Sequence, residues 1–85
     1  MQIDFTEAAD KELQFLVKSG NQVVLKKIVE LIKSIDESPF TGIGKPEPLK
    51  YEFAGCWSRR INKEHRLIYE VKANSILIHS LKGHY

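Results

Sequence analysis

A single cysteine, Cys56, among 85 residues excludes an internal disulfide and makes the reducing cytosol the expected compartment. A metal centre built on several cysteines is excluded on the same count. His65, His79 and His84 do not follow the ligand spacing of a known zinc motif, so no metal site is expected. The apolar runs are only a few residues long, too short to cross a bilayer. Met1-Gln-Ile-Asp-Phe5 lacks the basic and apolar regions of a secretory leader. No segment repeats and none is of low complexity. A chain of this length is expected to form one domain over 1–85 with a small core, burying only about 60–65% of its unfolded surface.

Charge is also scarce in net terms, at +2, but it is unevenly placed. Residues 1–42 hold five Lys against seven Asp or Glu, whereas residues 43–85 hold eight Lys or Arg against four Glu. All three histidines lie in that basic second half. The asymmetry fits a polyanionic partner, whose approach its field would steer.

What is present reads as two helices followed by strands. Gln2–Phe5 suits a short strand, and Thr6 is a good N-cap with Glu7 and Asp10 in the positive first turn. A helix is predicted from about Glu7 to Lys18, with Leu13, Leu16 and Val17 as its buried stripe. Gly20 ends it and Asn21 caps the next. Val24, Leu25, Ile28, Leu31, Ile32 and Ile35 then recur at helical spacing. All three prolines and two of the five glycines fall in Ser38–Pro48, which cannot continue the helix. Phe40 and Ile43 suggest that this loop is pinned to the body. Pro46 and Pro48 push the residues before them, Lys45 and Glu47, into extended conformations. That gives the Glu47 carboxylate a defined direction. Leu49–Phe53 and Ser75–Lys82 supply further strands, and alternation in the last puts Ile76, Ile78, Ser80, Lys82 and His84 on one face.

The most informative stretch is Trp57-Ser-Arg-Arg-Ile-Asn-Lys-Glu-His-Arg-Leu-Ile-Tyr69. Apolar and basic residues alternate with the period of a strand, and polar Asn62–His65 reads as a turn between two of them. Leu67, Tyr69 and Val71 point one way, Arg66, Ile68 and Glu70 the other. Arg60 and Arg66 then sit close together on neighbouring strands. The planar fork of an arginine matches the oxygens of a phosphate diester, although a solvated outer face carries two arginines equally well. Helices first and paired strands last give an α+β fold, with two helices on a mostly antiparallel, twisted sheet of four to five strands.

Glu47, Lys50, Arg60, Arg66, His84 and Tyr85 form a chemically coherent set. A ribonuclease without a metal needs a base for the ribose 2′-hydroxyl, cations for the charge on phosphorus, and an acid for the departing 5′-oxygen. Glu47 suits the base, Arg66 with Lys50 or Arg60 the cations, and His84 the acid. Tyr85 offers a ring on which an unpaired base can stack. From spacing alone, a generic sheet with a basic face explains the same residues.

Gly44-Lys-Pro-Glu-Pro-Leu-Lys50, Trp57-Ser-Arg-Arg-Ile61, Glu64-His-Arg-Leu-Ile-Tyr69 and terminal His84-Tyr85 closely resemble YoeB-type (Txe) toxins of the RelE/ParE toxin–antitoxin superfamily. The resemblance implies a RelE-like, microbial RNase-like fold. It implies cleavage of messenger RNA in the ribosomal A site and neutralisation by a YefM-type antitoxin. It assigns the general base to Glu47, the phosphate-stabilising arginine to Arg66, the general acid to His84 and the terminal tyrosine to Tyr85. Lys50 and Arg60 match basic positions lining the site. Lys45, Arg59 and Lys82 complete the expected RNA- and phosphate-binding set. No cofactor is implied, and a homodimer is among the expected assemblies. The first helix departs from the family pattern, holding only Phe15 where several aromatics are usual. Two other readings remain open: a gyrase-inhibiting toxin of the ParE kind, and a non-catalytic RNA-binding protein.

Overall fold

The structure, a computed structural model, describes residues 1–83; His84 and Tyr85 lie outside the described residues. The chain runs β1 (Gln2–Phe5), α1 (Glu7–Ser19), α2 (Gln22–Glu37), β2 (Glu47–Pro48), a 3-10 turn (Tyr51–Phe53), β3 (Cys56–Arg60), β4 (Arg66–Val71) and β5 (Ser75–Gly83). One sheet contains all five strands in the order β1-β5-β4-β3-β2. β1 runs parallel to β5 and every other pair is antiparallel.

The caps behave as their chemistry requires. Thr6 Oγ1 accepts the Ala9 N–H at 3.1 Å and donates to the His79 carbonyl, so one hydroxyl starts α1 and ties it to β5. Gly20 ends α1 at φ 69°, and Asn21 caps α2 through the Val24 N–H. Ala9, Ile28, Leu31 and Ile35 from the helices meet Ile61, Leu67, Tyr69, Ile76, Ile78 and Leu81 from the sheet side. This single layer interface is the core. Leu13 and Leu16 pack against it, but Val17, read as part of the buried stripe, is exposed. The stripe turns at Ala9, so its continuation falls on Leu13 and Leu16.

Three further expectations need correction. Leu49–Phe53 is not a strand: pairing stops after Pro48, and Tyr51 takes φ 58°, which starts the 3-10 turn. Lys45 is not extended, for it lies at φ 52°; a preceding-proline restraint disfavours the right-handed helical region and leaves this one open. The face of β5 is not set by simple alternation. Its register against β4 shifts on both sides of Ile68, so Ile76 and Ile78 face the core and Leu81 resumes that role. The Glu12 carboxylate of α1 accepts the Leu81 N–H at 2.7 Å and the Ser80 hydroxyl at 3.3 Å, which satisfies the irregular backbone there.

Arg59 organises the Ser38–Gly44 loop. It is fully buried, and all five of its N–H donors have acceptors. Nε meets Tyr69 Oη at 3.1 Å, Nη1 meets Ser34 Oγ and the Ile43 carbonyl, and Nη2 meets the carbonyls of Ser38 and Thr41 at 2.7 and 2.8 Å. Tyr69 in turn donates to the Pro39 carbonyl at 2.6 Å. Phe40 packs at a tilt on Trp57 with ring centroids 4.9 Å apart, so the loop is pinned through Phe40, whereas the Ile43 side chain is exposed and only its carbonyl is held. Gly44 completes the closure: its φ is 83°, and a Cβ there would lie 2.7 Å from Leu31 Cδ2 and 3.1 Å from Arg59 Cβ. Gly44→Ala is therefore expected to destabilise the fold by about 1–3 kcal/mol, read as a lowered thermal midpoint at unchanged helix content.

Candidate active site

Residues paired across a ladder project to the same side of the sheet. Glu47 pairs with Ser58, Ser58 with Ile68, and Arg60 with Arg66. All therefore belong to the face turned away from the helices, as do Cys56 and its partner Glu70. The Arg66 Nη1 lies 3.3 Å from Glu47 Oε2; the arginine side chain is 15% exposed and the carboxylate 52%. The carboxylate that pairs with Arg66 is not Glu64, two residues away in sequence, but Glu47 from β2, 19 residues away. It is delivered by the Arg59-pinned loop and by its own place in a strand between two prolines.

Arg60 stands directly opposite Arg66 and is exposed. It lines a shallow groove with Lys45, Lys27 and Lys63, floored by Gly44, Ile61 and Asn62. Among the described residues the groove's lining has four cations and no carboxylate, a suitable track for a phosphate backbone. Sequence reasoning missed Lys27, a half-buried residue of α2, and Lys63, in a turn; only the fold brings them beside Arg60. Lys50 is exposed just past β2 and opens the 3-10 turn.

Two of the expected phosphate-binding residues are elsewhere. Arg59 is buried with every donor occupied, so it holds the loop and contacts no RNA. It follows Trp57 and precedes Ile61 at strand alternation, and that parity places it inward. Lys82 turns to the helix side, with its ammonium 5.0 Å from the Phe15 ring centroid. The second register shift in β5 falls between Ser80 and Gly83, the interval that holds Lys82, and takes it off the Glu47–Arg66 face. His84 and Tyr85 fall outside the described residues. Gly83, which precedes them, is the ladder partner of Arg66.

One polar group on this face is unaccounted for by sequence. The Ser58 hydroxyl is buried between the Glu47 and Ile68 positions and has no hydrogen-bond partner among the described residues. Further along the same face the His79 Nε2 lies 2.9 Å from Glu70 Oε1. The His79 hydrogen bond is the main reason the Glu70 carboxyl is held below the usual range, and Lys72 adds to it. Burial, with help from the Glu70 charge, pushes the neighbouring Cys56 thiol up. Burial also raises Tyr69, against the opposing pull of Arg59.

Comparison with known proteins converges on one family. The model for the YoeB-like toxin of bacterial type II toxin–antitoxin systems matches residues 5–85. Toxin YoeB of Synechocystis is 47% identical over 85 residues, covering 100% of this chain and 98% of the relative. The YoeB dimer from Staphylococcus aureus superposes with a TM-score of 0.91 at 45% identity, over 100% of this chain and 98% of that one. A YoeB–YefM complex from the same organism gives 0.89 at 46%, with the same coverage.

Proposed function

The chain belongs to the YoeB-like toxins of bacterial type II toxin–antitoxin systems, and from that premise we propose that it is a ribosome-dependent endoribonuclease cutting messenger RNA in the A site. The observation that carries this reading is the Glu47–Arg66 pair, an acceptor and a guanidinium 3.3 Å apart on one open sheet face. A scissile phosphate offers Arg66 a better-matched, bidentate anion than a half-exposed carboxylate does. Its arrival takes Arg66 from Glu47 and leaves the carboxylate free to accept the proton of the ribose 2′-hydroxyl.

The 2′-oxygen then attacks phosphorus, and Arg66 with Arg60 and Lys50 meets the charge that grows on the non-bridging oxygens. His84 protonates the 5′-oxygen as the P–O5′ bond breaks. The products are a 2′,3′-cyclic phosphate and a 5′-hydroxyl. Side chains supply every proton transfer in this scheme, and Tyr85 stacks on an adjacent base. Lys45, Lys27 and Lys63 extend the cationic track beyond the reacting centre. The ribosome supplies most of the substrate alignment, worth several kcal/mol when reactants are well oriented. A YefM-type antitoxin is the corresponding neutralising partner and a homodimer the corresponding free form, as in the Staphylococcus aureus relatives. The site of action is the cytosol; among the described residues no helix is long and apolar enough to cross a membrane.

The test is primer extension on messages in a translating extract. New 5′ ends inside codons held at the A site are expected, and they disappear when ribosomes are omitted. Growth arrest that leaves messages uncut and follows DNA gyrase instead would overturn the assignment.

A further inference from the structure

The sequence offers one cysteine and no zinc-like spacing, yet the fold gathers three different ligand types where three strands meet. Cys56 of β3, Glu70 of β4 and His79 of β5 present a sulfur, a carboxylate oxygen and an imidazole nitrogen all within 4.8 Å of one another. Cys56 and Glu70 are direct ladder partners. His79 reaches them because β5 is irregular at this point: Ile68 pairs with Ser80 but Tyr69 with Ile78, leaving His79 as the extra residue. A bulge of this kind re-aims a side chain. The re-aimed backbone is fixed from behind, since the Thr6 hydroxyl donates to the His79 carbonyl at 3.1 Å.

We propose that Cys56, Glu70 and His79 form a binding site for a zinc-like divalent ion that clamps β3, β4 and β5 together. Bonds of about 2.0–2.3 Å in a tetrahedral site place neighbouring ligand atoms roughly 3.3–3.7 Å apart. The His79–Glu70 contact of 2.9 Å opens slightly and the widest separation closes by a rotamer adjustment. A thiolate, a carboxylate and a neutral imidazole carry two negative charges, which balance a divalent ion. The thiolate disfavours magnesium and calcium, the carboxylate disfavours monovalent copper, and the mixed set suits a borderline metal. Cys56 is buried while Glu70 and His79 are partly exposed, so the ion enters from the carboxylate–imidazole side and solvent supplies a fourth ligand.

Position excludes a part in phosphate chemistry. Cys56 and Glu70 lie four residues along their strands from Arg60 and Arg66, roughly 13 Å at the usual rise. The ion instead joins β5, which carries Gly83, to the central strand β4 and to β3 beyond it. Binding to the folded state alone raises stability by mass action.

The full chain, stripped of metal, is titrated with zinc, and with cobalt as a spectroscopic reporter. One equivalent is expected to bind with low-micromolar or tighter affinity, raising the melting temperature. The cobalt form should show a thiolate-to-metal charge-transfer band. Cys56→Ser abolishes that band, and Glu70→Gln and His79→Gln each weaken zinc binding by about tenfold or more. Melting curves of the metal-free variants report whether each remains folded, and the wild-type cobalt spectrum tests sulfur ligation without any variant. Binding only at millimolar zinc, a cobalt spectrum without the thiolate band, or affinity unchanged in folded variants would each overturn the site.

Discussion

Arg59→Ala is expected to destabilise the fold by about 3–5 kcal/mol, a large share of its total stability. The substitution removes five donors from a site with no exposure to solvent, stranding the carbonyls of Ser38, Thr41 and Ile43 and the hydroxyls of Ser34 and Tyr69. Among the described residues no carboxylate pairs with Arg59, so the ring of oxygens is what compensates its charge. Orphaned buried acceptors and a side-chain-sized void together cost about 3–5 kcal/mol. A domain of this length holds roughly 4–13 kcal/mol in total. In urea the midpoint should fall by about 3–5 M, given a slope near 1 kcal/mol per M for a small protein. Arg59→Lys recovers only part, because three donors on a point charge cannot span the same fork. The adjacent Arg60→Ala is the control: it is exposed, and its stability change should stay within about 0.5 kcal/mol. Equal midpoints for the Arg59 and Arg60 variants would contradict the structural role.

Arg66→Ala is expected to slow cleavage by about 10²–10³-fold, the usual effect of removing one transition-state charge stabiliser. Its folding should scarcely change, since an ion pair with a half-exposed carboxylate contributes at most about 1 kcal/mol. The measurement is the rate of 5′-end formation on ribosome-bound message, with the urea midpoint recorded on the same preparation. Arg66→Lys should regain charge without the bidentate geometry, and so fall between the two. Combining Arg66→Ala with Glu47→Ala should cost less than the two effects added, because both serve one step. A cleavage rate within threefold of wild type (about 0.7 kcal/mol) in a folded Arg66→Ala protein would remove Arg66 from the reaction.

These contrasting arginines show what the sequence contained and what it withheld. The helices were legible because Thr6, Gly20 and Asn21 are local signals, and the bonds they make are within a few residues. The two-faced character of β3 and β4 was legible from alternation, which also carried the inward parity of Arg59 beside Trp57 and Ile61. Charge argued against that parity, and only a loop folded back to offer its carbonyls resolves the conflict. The end of β2 was not legible, since a positive φ at Tyr51 depends on tertiary closure. Nor were the shifts in β5 legible, because a bulge is a property of two strands and of the Glu12 carboxylate that satisfies it. For the site, Glu47, Arg60 and Arg66 were identifiable as residue types suited to phosphate chemistry. Lys27, Lys63 and the Cys56–Glu70–His79 group depend on long-range assembly, which spacing along the chain does not report.

The position of β5 has a consequence for how the protein is made. It is synthesised after every other strand, yet it sits inside the sheet between β1 and β4. Until it leaves the exit tunnel, the first strand has no neighbour and the core lacks Ile76, Ile78 and Leu81. Native folding therefore waits on a closure between β1 and β5, across nearly the whole length of the described chain. On the function proposed above, the site has no complete scaffold until that closure is made.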